Sequence, residues 1–499
     1  MNVNFIDLLC CPFCNGTIHC EIELDRDGEE LEYGILRCRS CCFDYPLVAG
    51  IPILRGPEVT VDAKGEVSNR AIVRGPTIRS LVELLAANEP IRAFSLLLNP
   101  TTYQGDLFPT LDHTVQSLSP LIYQRPFSKR RDAPLVWRKV AGLGRRLDKL
   151  FTRRIRLIRK RWRLASARLR LAEFLDANRR QLSALDVMDL YYRRYSGSEI
   201  STYFSFRIGQ PRYLAGLSLA HVVTRSNGPI LDLACGAGHF ANYFSQVCAQ
   251  QPIIGLDREF FRLYLAKHFL SPQAEFVCAE EDQTLPFRDG FFRAVFCSDA
   301  LQYFVNRATC VREAQRLLRD DGVLVFATLG NRQIQPPEGY ELTVSAYRNL
   351  FSAIPNVVMG EQRLVSRYLD KKAPDLTEDR SAEAANSDKW LSLVASRCRD
   401  VFCDHGAFDD WPHAVGRLAV NPIYRFQGWS PDGGAILRFE FPSAWYEFEN
   451  GTYAEYAPAE CEVSREILDA LDRGERTVEM EGYIRKFVIA GTPERYLVR

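Results

Sequence analysis

Short apolar runs begin near residues 230, 252, 275, 293 and 322, and each is followed by a helix-like segment or a loop. That alternation predicts an α/β domain with a mainly parallel sheet. Val344 to Ile354 reads as one more helix and Pro355 to Gly360 as a following strand, after which 361–428 reads as irregular. The rhythm then changes to period two, with Leu437, Phe439 and Phe441 alternating with Arg438 and Glu440. Trp445 to Phe448 and Thr452 to Tyr456 flank Asn450-Gly451, the signature of a two-residue hairpin, so the tail is expected to be β-rich. Upstream, Ile78, Leu81, Leu84 and Leu85 predict a short helix, with Pro90 and Pro100 as punctuation. From about 143 to 182 the spacing is long and helical. Leu147, Phe151, Ile155, Ile158, Trp162, Ala165 and Leu169 form one stripe, and Leu143, Leu150, Leu157, Leu164 and Leu171 repeat at seven.

These patterns predict four regions: 1–58, a linker and helical connector over 59–190, an α/β domain over 191–441 with an insertion near 361–428, and a C-terminal extension over 442–499. The 499 residues suit about three domains at roughly 150 residues each. With 46% hydrophobic residues and 63 Lys+Arg against 62 Asp+Glu, the chain is of globular type, which excludes disorder as its general state. No uninterrupted apolar run reaches the roughly 18 residues of a membrane-spanning helix. The first residues also lack a basic, then apolar, leader pattern, so a soluble cytoplasmic protein is expected. Charge is uneven: residues 125–170 carry 18 Lys/Arg against Asp132 and Asp148, which leaves the remainder at −15.

Cysteine is uneven too, since seven of the 15 fall at or before Cys42. Cys11-Pro12-Phe13-Cys14 and Cys38-Arg39-Ser40-Cys41 are two C-x-x-C knuckles separated by the segment from Asn15 to Arg37. They supply the ligand set of a tetrahedral Cys₄ zinc site, with a hairpin through Asp25 to Glu32 absorbing the spacing. With all four ligands from protein, the zinc would be structural, and its ligation would stabilise a segment too small for a core of its own by about 10–16 kcal/mol. Cys10, Cys20 and Cys42 are spare, and the other eight cysteines read as small core hydrophobes. The knuckles, with Tyr45-Pro46-Leu47 and Gly50-Ile51-Pro52-Ile53-Leu54, resemble the small zinc-ribbon proteins that activate RNA and protein methyltransferases. That resemblance runs from Leu8 to Leu54 and implies a ribbon fused to its catalytic partner.

The first α/β strand ends in Asp232-Leu233-Ala234-Cys235-Gly236-Ala237-Gly238, and Asp257 ends the next. A carboxylate roughly 20 residues beyond the glycines is where a ribose is held. Glycines for close backbone approach and a ribose carboxylate fit either NAD or S-adenosylmethionine. Asp232 favours the second, because a carboxylate there would repel a pyrophosphate and tolerate a sulfonium and an ammonium. The acidic run Glu280-Glu281-Asp282 before Leu285-Pro286-Phe287 offers acceptors for an adenine amino group.

In that order, the motifs from about 200 to 360 resemble the class I S-adenosylmethionine-dependent methyltransferases, in the branch carrying Leu-Pro-Phe. The resemblance implies a Rossmann-like seven-stranded core and a cofactor set of Asp232, Ala234, Gly236, Gly238, Asp257, Glu280, Glu281, Asp282, Cys297 and Ser298. Glu281-Asp282 match the adenine-side motif approximately, and Glu280 is the competing alignment. Phe292-Arg293 stands where the family usually has Phe-Asp, and Gln302-Tyr303 where a His often follows strand four.

Methyl transfer from a sulfonium depends chiefly on holding nucleophile and methyl carbon in line, so the expected enzyme needs no dedicated base, and no catalytic residue is singled out. Asp299, Gln302, Tyr303 and His239 lie at strand ends where ligands bind in such sheets; His239 also reads simply as the start of a helix. Tyr203 to Arg207 reads either as a flap over the cofactor or as core. The acceptor stays open between small molecule, RNA and protein, and a non-catalytic scaffold that binds a partner methyltransferase is the alternative. The basic stretch 125–170 admits three readings: a surface for RNA or another polyanion, a membrane-surface helix, or an arm packed on the chain's own acidic remainder.

Overall fold

A computed structural model describes residues 1–55, 58–60, 74–98, 165–192, 206–225, 227–334, 341–377, 385–412 and 416–493. The basic stretch lies outside the described residues except for 165–170, so the heptad leucines up to Leu164 lie outside them too.

Residues 1–55 contain a four-stranded antiparallel meander of β1 (Ile18–Asp27), β2 (Glu30–Cys38), β3 (Asp44–Val48) and β4 (Ile51–Pro52). Gly28, at φ +63°, turns β1 into β2 within the expected hairpin. This ribbon shares its core with the rest of the chain. Phe5, Leu9, Leu36, Tyr45, Leu47 and Leu54 are buried in one apolar cluster with Leu231, Ile254, Val277 and Phe287 of the α/β domain. Two short helices follow, α1 (Ile78–Ala86) and α2 (Pro90–Leu97). Ile78, Leu81 and Leu85 of α1 are buried as the spacing predicted, and Pro90 occupies the first turn of α2, where its missing N–H costs nothing. A helix over 165–178 (α3), α4 (Ala184–Tyr192) and α5 (Pro211–Thr224) complete the helical part.

The α/β domain is a seven-stranded sheet. Its first strands and helices are β5 (Ile230–Leu233), α6 (His239–Val247), β6 (Ile253–Asp257), α7 (Phe260–Leu265), β7 (Glu275–Cys278), β8 (Phe292–Ser298) and α8 (Arg307–Leu317). They are followed by β9 (Leu318–Gly330), α9 (Val344–Leu350), β10 (Asn356–Gly360), α10 (Glu361–Leu369) and β11 (Trp390–Ser396). The spatial order is β10-β11-β9-β8-β5-β6-β7, with β11 antiparallel between β9 and β10 and the five strands from β9 to β7 parallel. Both faces are covered, which is why β5 and β6 are buried at every position.

At the open β7 edge the ribbon adds itself to this sheet. Ile53 pairs with Cys278 as a parallel bridge, and the Leu54 N–H donates to the Cys278 carbonyl at 2.9 Å. On the other side Leu9 bridges Phe287, and the Cys10 N–H donates to the Pro286 carbonyl at 2.9 Å. The edge strand β7 is thereby paired to the ribbon at its last residue, Cys278, and the loop after it is held at Pro286 and Phe287.

Two sequence expectations give way here. The stretch 361–428 is not irregular: it holds α10 and β11, and then β12 (Arg417–Val420) and most of β13 (Tyr424–Trp429). Leu364, Val365 and Tyr368 form the buried stripe of α10. The serines that interrupt β11 are satisfied by its neighbour: Ser396 donates to the Gly322 carbonyl at 2.7 Å, and Ser392 accepts from the Thr328 N–H at 3.4 Å.

The hairpin expected at Asn450-Gly451 is instead the end of a helix, α11 (Ala444–Asn450), entered after β14 (Ala435–Phe439). Ser443 caps it by accepting from the Tyr446 N–H at 3.1 Å, Asn450 donates to the Tyr446 carbonyl at 3.0 Å, and Gly451 sits at φ −56°, whereas the hairpin turn requires positive φ. The tail therefore mixes β15 (Glu460–Val463), α12 (Arg465–Asp472), α13 (Met480–Arg485) and β16 (Ile489–Thr492) with that helix. β14 pairs with β15, and β12 with β16, so strands on both sides of the expected 441/442 boundary share sheets.

Candidate cofactor site and metal centre

Three left-handed residues, Ala234 (φ +58°), Gly236 (φ +55°) and Gly238 (φ +80°), turn the chain from β5 into α6. A methyl group on Gly238 would lie 2.8 Å from the Ala266 Cβ, so packing demands glycine there. A methyl group on Gly236 would meet nothing within 4 Å; that loop faces open space and bares its backbone to a ligand.

Around this loop the strand ends carry carboxylates. Asp232 is buried, accepts from the Ala241 N–H in the first turn of α6 at 3.0 Å, and is pushed up to about 7 by burial. Asp257 ends β6 and ties two loops together, accepting from the Gly236 N–H at 2.9 Å and the Glu259 N–H at 2.8 Å. Glu281, wholly buried after β7, accepts from the Arg258 N–H at 2.9 Å and lies 2.9 Å from the Arg258 Nε. Burial raises its pKa to about 7, against the opposing pull of Arg258.

The remaining expected residues divide. Ser298 lies 3.4 Å from an Arg207 guanidinium nitrogen at the end of β8. Glu280 turns instead to Arg55 of the ribbon, with which it is ion-paired. Asp282 accepts from the Asn306 N–H at 3.2 Å and so pins a loop. The side chain of Cys297 is buried in the core cluster with Leu231 and Cys310, one residue before Ser298 at the end of β8. His239 opens α6, and burial lowers its pKa to about 3, which keeps the ring neutral.

Four arginines complete the site. Arg207 and Arg212 are buried, with Asp299 at 3.2 and 3.7 Å respectively; Gln302 donates to the same carboxylate at 3.2 Å. Arg212 also lies over the Trp390 ring and bonds to Asn450 and Glu449. Arg258 and Arg55 hold the acidic run. Arg258 is signalled in the sequence by its place next to Asp257, whereas nothing local marks Arg55 or Arg212, because their partners are distant along the chain. The arrangement offers buried acceptors at three adjacent strand ends and buried guanidinium groups beside them. It suits a zwitterion that carries one extra positive charge.

In the ribbon, the Sγ atoms of Cys11, Cys14, Cys38 and Cys41 all lie within 4.8 Å of one another, with Cys11–Cys41 at 3.6 Å and Cys14–Cys38 at 3.5 Å. Those edges match a tetrahedron with metal–sulfur bonds of about 2.3 Å. The Tyr45 hydroxyl stands 3.0 Å from the Cys11 Sγ and the Ser40 N–H 3.4 Å from the Cys38 Sγ, an outer shell of the kind that orients thiolates. Among the described residues no other group of three or more metal-ligating side chains comes together, and no helix is long and apolar enough to cross a membrane.

Residues 231–326 match the family described as a methyltransferase domain. A malonyl-[acyl-carrier protein] O-methyltransferase of Legionella pneumophila is 30% identical over 142 residues, 28% of this chain and 50% of the relative. The uncharacterized methyltransferase YcgJ of Bacillus subtilis is 30% identical over 211 residues, 38% of this chain and 80% of the relative. The solved structure of YcgJ aligns with a TM-score of 0.26 at 19% identity, covering 37% of this chain and 99% of that one. The chain belongs to the class I methyltransferase family. It spans about half the length of the first curated relatives it matches.

A buried carboxyl whose pKa is raised binds its proton more tightly in the folded state, so its contribution is fullest at low pH and falls as pH rises from its unfolded value through about 7. Chemical denaturation of the ligand-free protein and of Asp232→Asn at pH 5 and pH 8 should show the parent losing stability relative to the variant by a few kcal/mol at the higher pH. A pH-independent difference contradicts the burial of that charge.

Proposed function

We propose that this protein transfers a methyl group from S-adenosyl-L-methionine to an acceptor nucleophile. The observation that carries the reading is the trio of buried carboxylates, Asp232, Asp257 and Glu281, at consecutive strand ends around the left-handed glycine loop. Bound there, the cofactor supplies an electrophilic methyl group on a sulfonium. Asp232 would hold the ammonium, and a cation beside it would return its raised pKa toward the ordinary range. Asp257 would accept the ribose hydroxyls and Glu281 the adenine amino group. Ala234, Gly236 and Gly238 would present backbone, and Arg207 with Ser298 would face the carboxylate. Asp299, Gln302, Arg207 and Arg212 wall the carboxyl end of β8, where the acceptor would enter.

The acceptor class stays open between small molecule, RNA and protein. Residues 125–170, with their excess of 16 positive charges, are proposed as a surface for RNA or another polyanion, with contact to an anionic membrane as the lesser reading. The scaffold alternative finds no support in these observations. In the ribbon the four cysteines would hold one structural zinc, because a closed Cys₄ set leaves no position for a substrate.

Calorimetric titration with S-adenosylhomocysteine should show Asp257→Ala binding at least tenfold more weakly than the parent, in keeping with about 1.5–3 kcal/mol for charge-assisted hydrogen bonds. Unchanged affinity would reject the assignment. Elemental analysis of the purified chain should find one zinc per molecule, and Cys14→Ala with Cys41→Ala should abolish it; retention of zinc in that double variant would place the metal elsewhere.

A further inference from the structure

Arg55 lies directly beyond the strand that joins the ribbon to the sheet. It is 6% exposed, and both of its terminal nitrogens are spent on the cofactor side of the molecule: Nη1 donates to the Arg258 carbonyl at 3.1 Å, and Nη2 pairs with Glu280. Arg258 faces a choice between two carboxylates. Its Nε is 2.9 Å from Glu281 and 3.9 Å from Glu280, and its guanidinium lies 5.3 Å from the centre of the Phe304 ring. Among the described residues, Arg55 and Arg258 are the cations in ion-pair contact with Glu280. With Arg55 on Glu280, Arg258 is left to Glu281. Without it, an uncompensated Glu280 would compete for Arg258, while Glu281, already facing Asp257 and Glu280 as like charges, would lose its counter-ion in a buried setting.

We propose that Arg55 is a positioning residue of the cofactor site: by neutralising Glu280 and fixing the Arg258 carbonyl, the ribbon sets the geometry and charge of the Asp257–Glu281 pair and hence the affinity for S-adenosylmethionine. This rests on the cofactor reading above. It assigns to the ribbon a side chain that completes a site on the α/β domain, and it gives Glu280 a role opposite to direct cofactor contact. The hydrogen bond from Leu54 to Cys278 sets the register that brings Arg55 to this place.

The test is titration of the full-length, zinc-analysed protein with S-adenosylhomocysteine at pH 7.5, alongside a melting curve for each variant. Arg55→Ala should weaken binding at least tenfold, and Arg55→Lys, which keeps the charge, should stay within about threefold of the parent. Combining Arg55→Ala with Glu280→Gln should recover most of the loss, because the carboxylate that draws Arg258 away is gone. If Arg55→Ala does not fold, Arg55→Gln takes its place, since it keeps a donor for the carbonyl without the charge. A role in packing alone would move the melting temperatures and leave no such recovery. Affinity within twofold of the parent in the single variant, or no recovery in the double variant, overturns the proposal while the cofactor reading stands. No binding by the parent overturns both.

Discussion

Backbone hydrogen bonds from Leu54 to the Cys278 carbonyl at the sheet edge, and from Cys10 to the Pro286 carbonyl in the loop that follows, fasten the ribbon to the α/β domain, and much of the rest follows from them. A parallel sheet needs its edge covered, and a ribbon this small needs apolar surface it cannot provide for itself. Joining them meets both requirements, so Tyr45 and Leu47 on one side and Ile254 and Val277 on the other lie in a single cluster. The edge strand concerned, β7, leads directly into Glu280 and Glu281. The junction that stabilises the ribbon therefore also ends at the site.

The site itself is a problem in compensated charge. Asp232, Asp257, Glu281 and Asp299 are drawn together because strands in a parallel sheet end on one side, and the turns after them carry the polar residues. Crowding of that kind is tolerated where each carboxylate has a partner. Asp232 and Asp257 use backbone N–H groups of the glycine loop and of neighbouring turns, Glu281 uses Arg258, and Asp299 uses Arg207 and Arg212. A ligand with a net positive charge relieves what remains. Under the proposed function, such a site would suit a sulfonium compound better than a pyrophosphate.

What could be read in the sequence was what is local. The two knuckles, the glycine loop, Asp232, Asp257 and the acidic run each occupy a few consecutive residues, and each stands at a turn or strand end of the folded chain. Strand order was out of reach, because β11 enters between β9 and β10 after both of them in the chain, and its serines disguise a doubly buried strand. Asn450-Gly451 misled for the converse reason: the dipeptide is a strong local signal, but the Ser443 cap and the burial of Tyr446 and Tyr453 outweigh it. Arg55, Arg207 and Arg212 acquire meaning only through partners far along the chain, Glu280, Asp299 and Glu449, which no local pattern reveals.

The central claim is that ribbon and cofactor site are one cooperative unit joined at β7. Amide hydrogen exchange with and without the zinc proposed for the four cysteines is the decisive measurement. Removal of that zinc should accelerate exchange in 18–54 and, together with it, in 276–287, while β9 to β11 keep their protection. Loss of protection confined to the ribbon, with 276–287 unchanged, would contradict it.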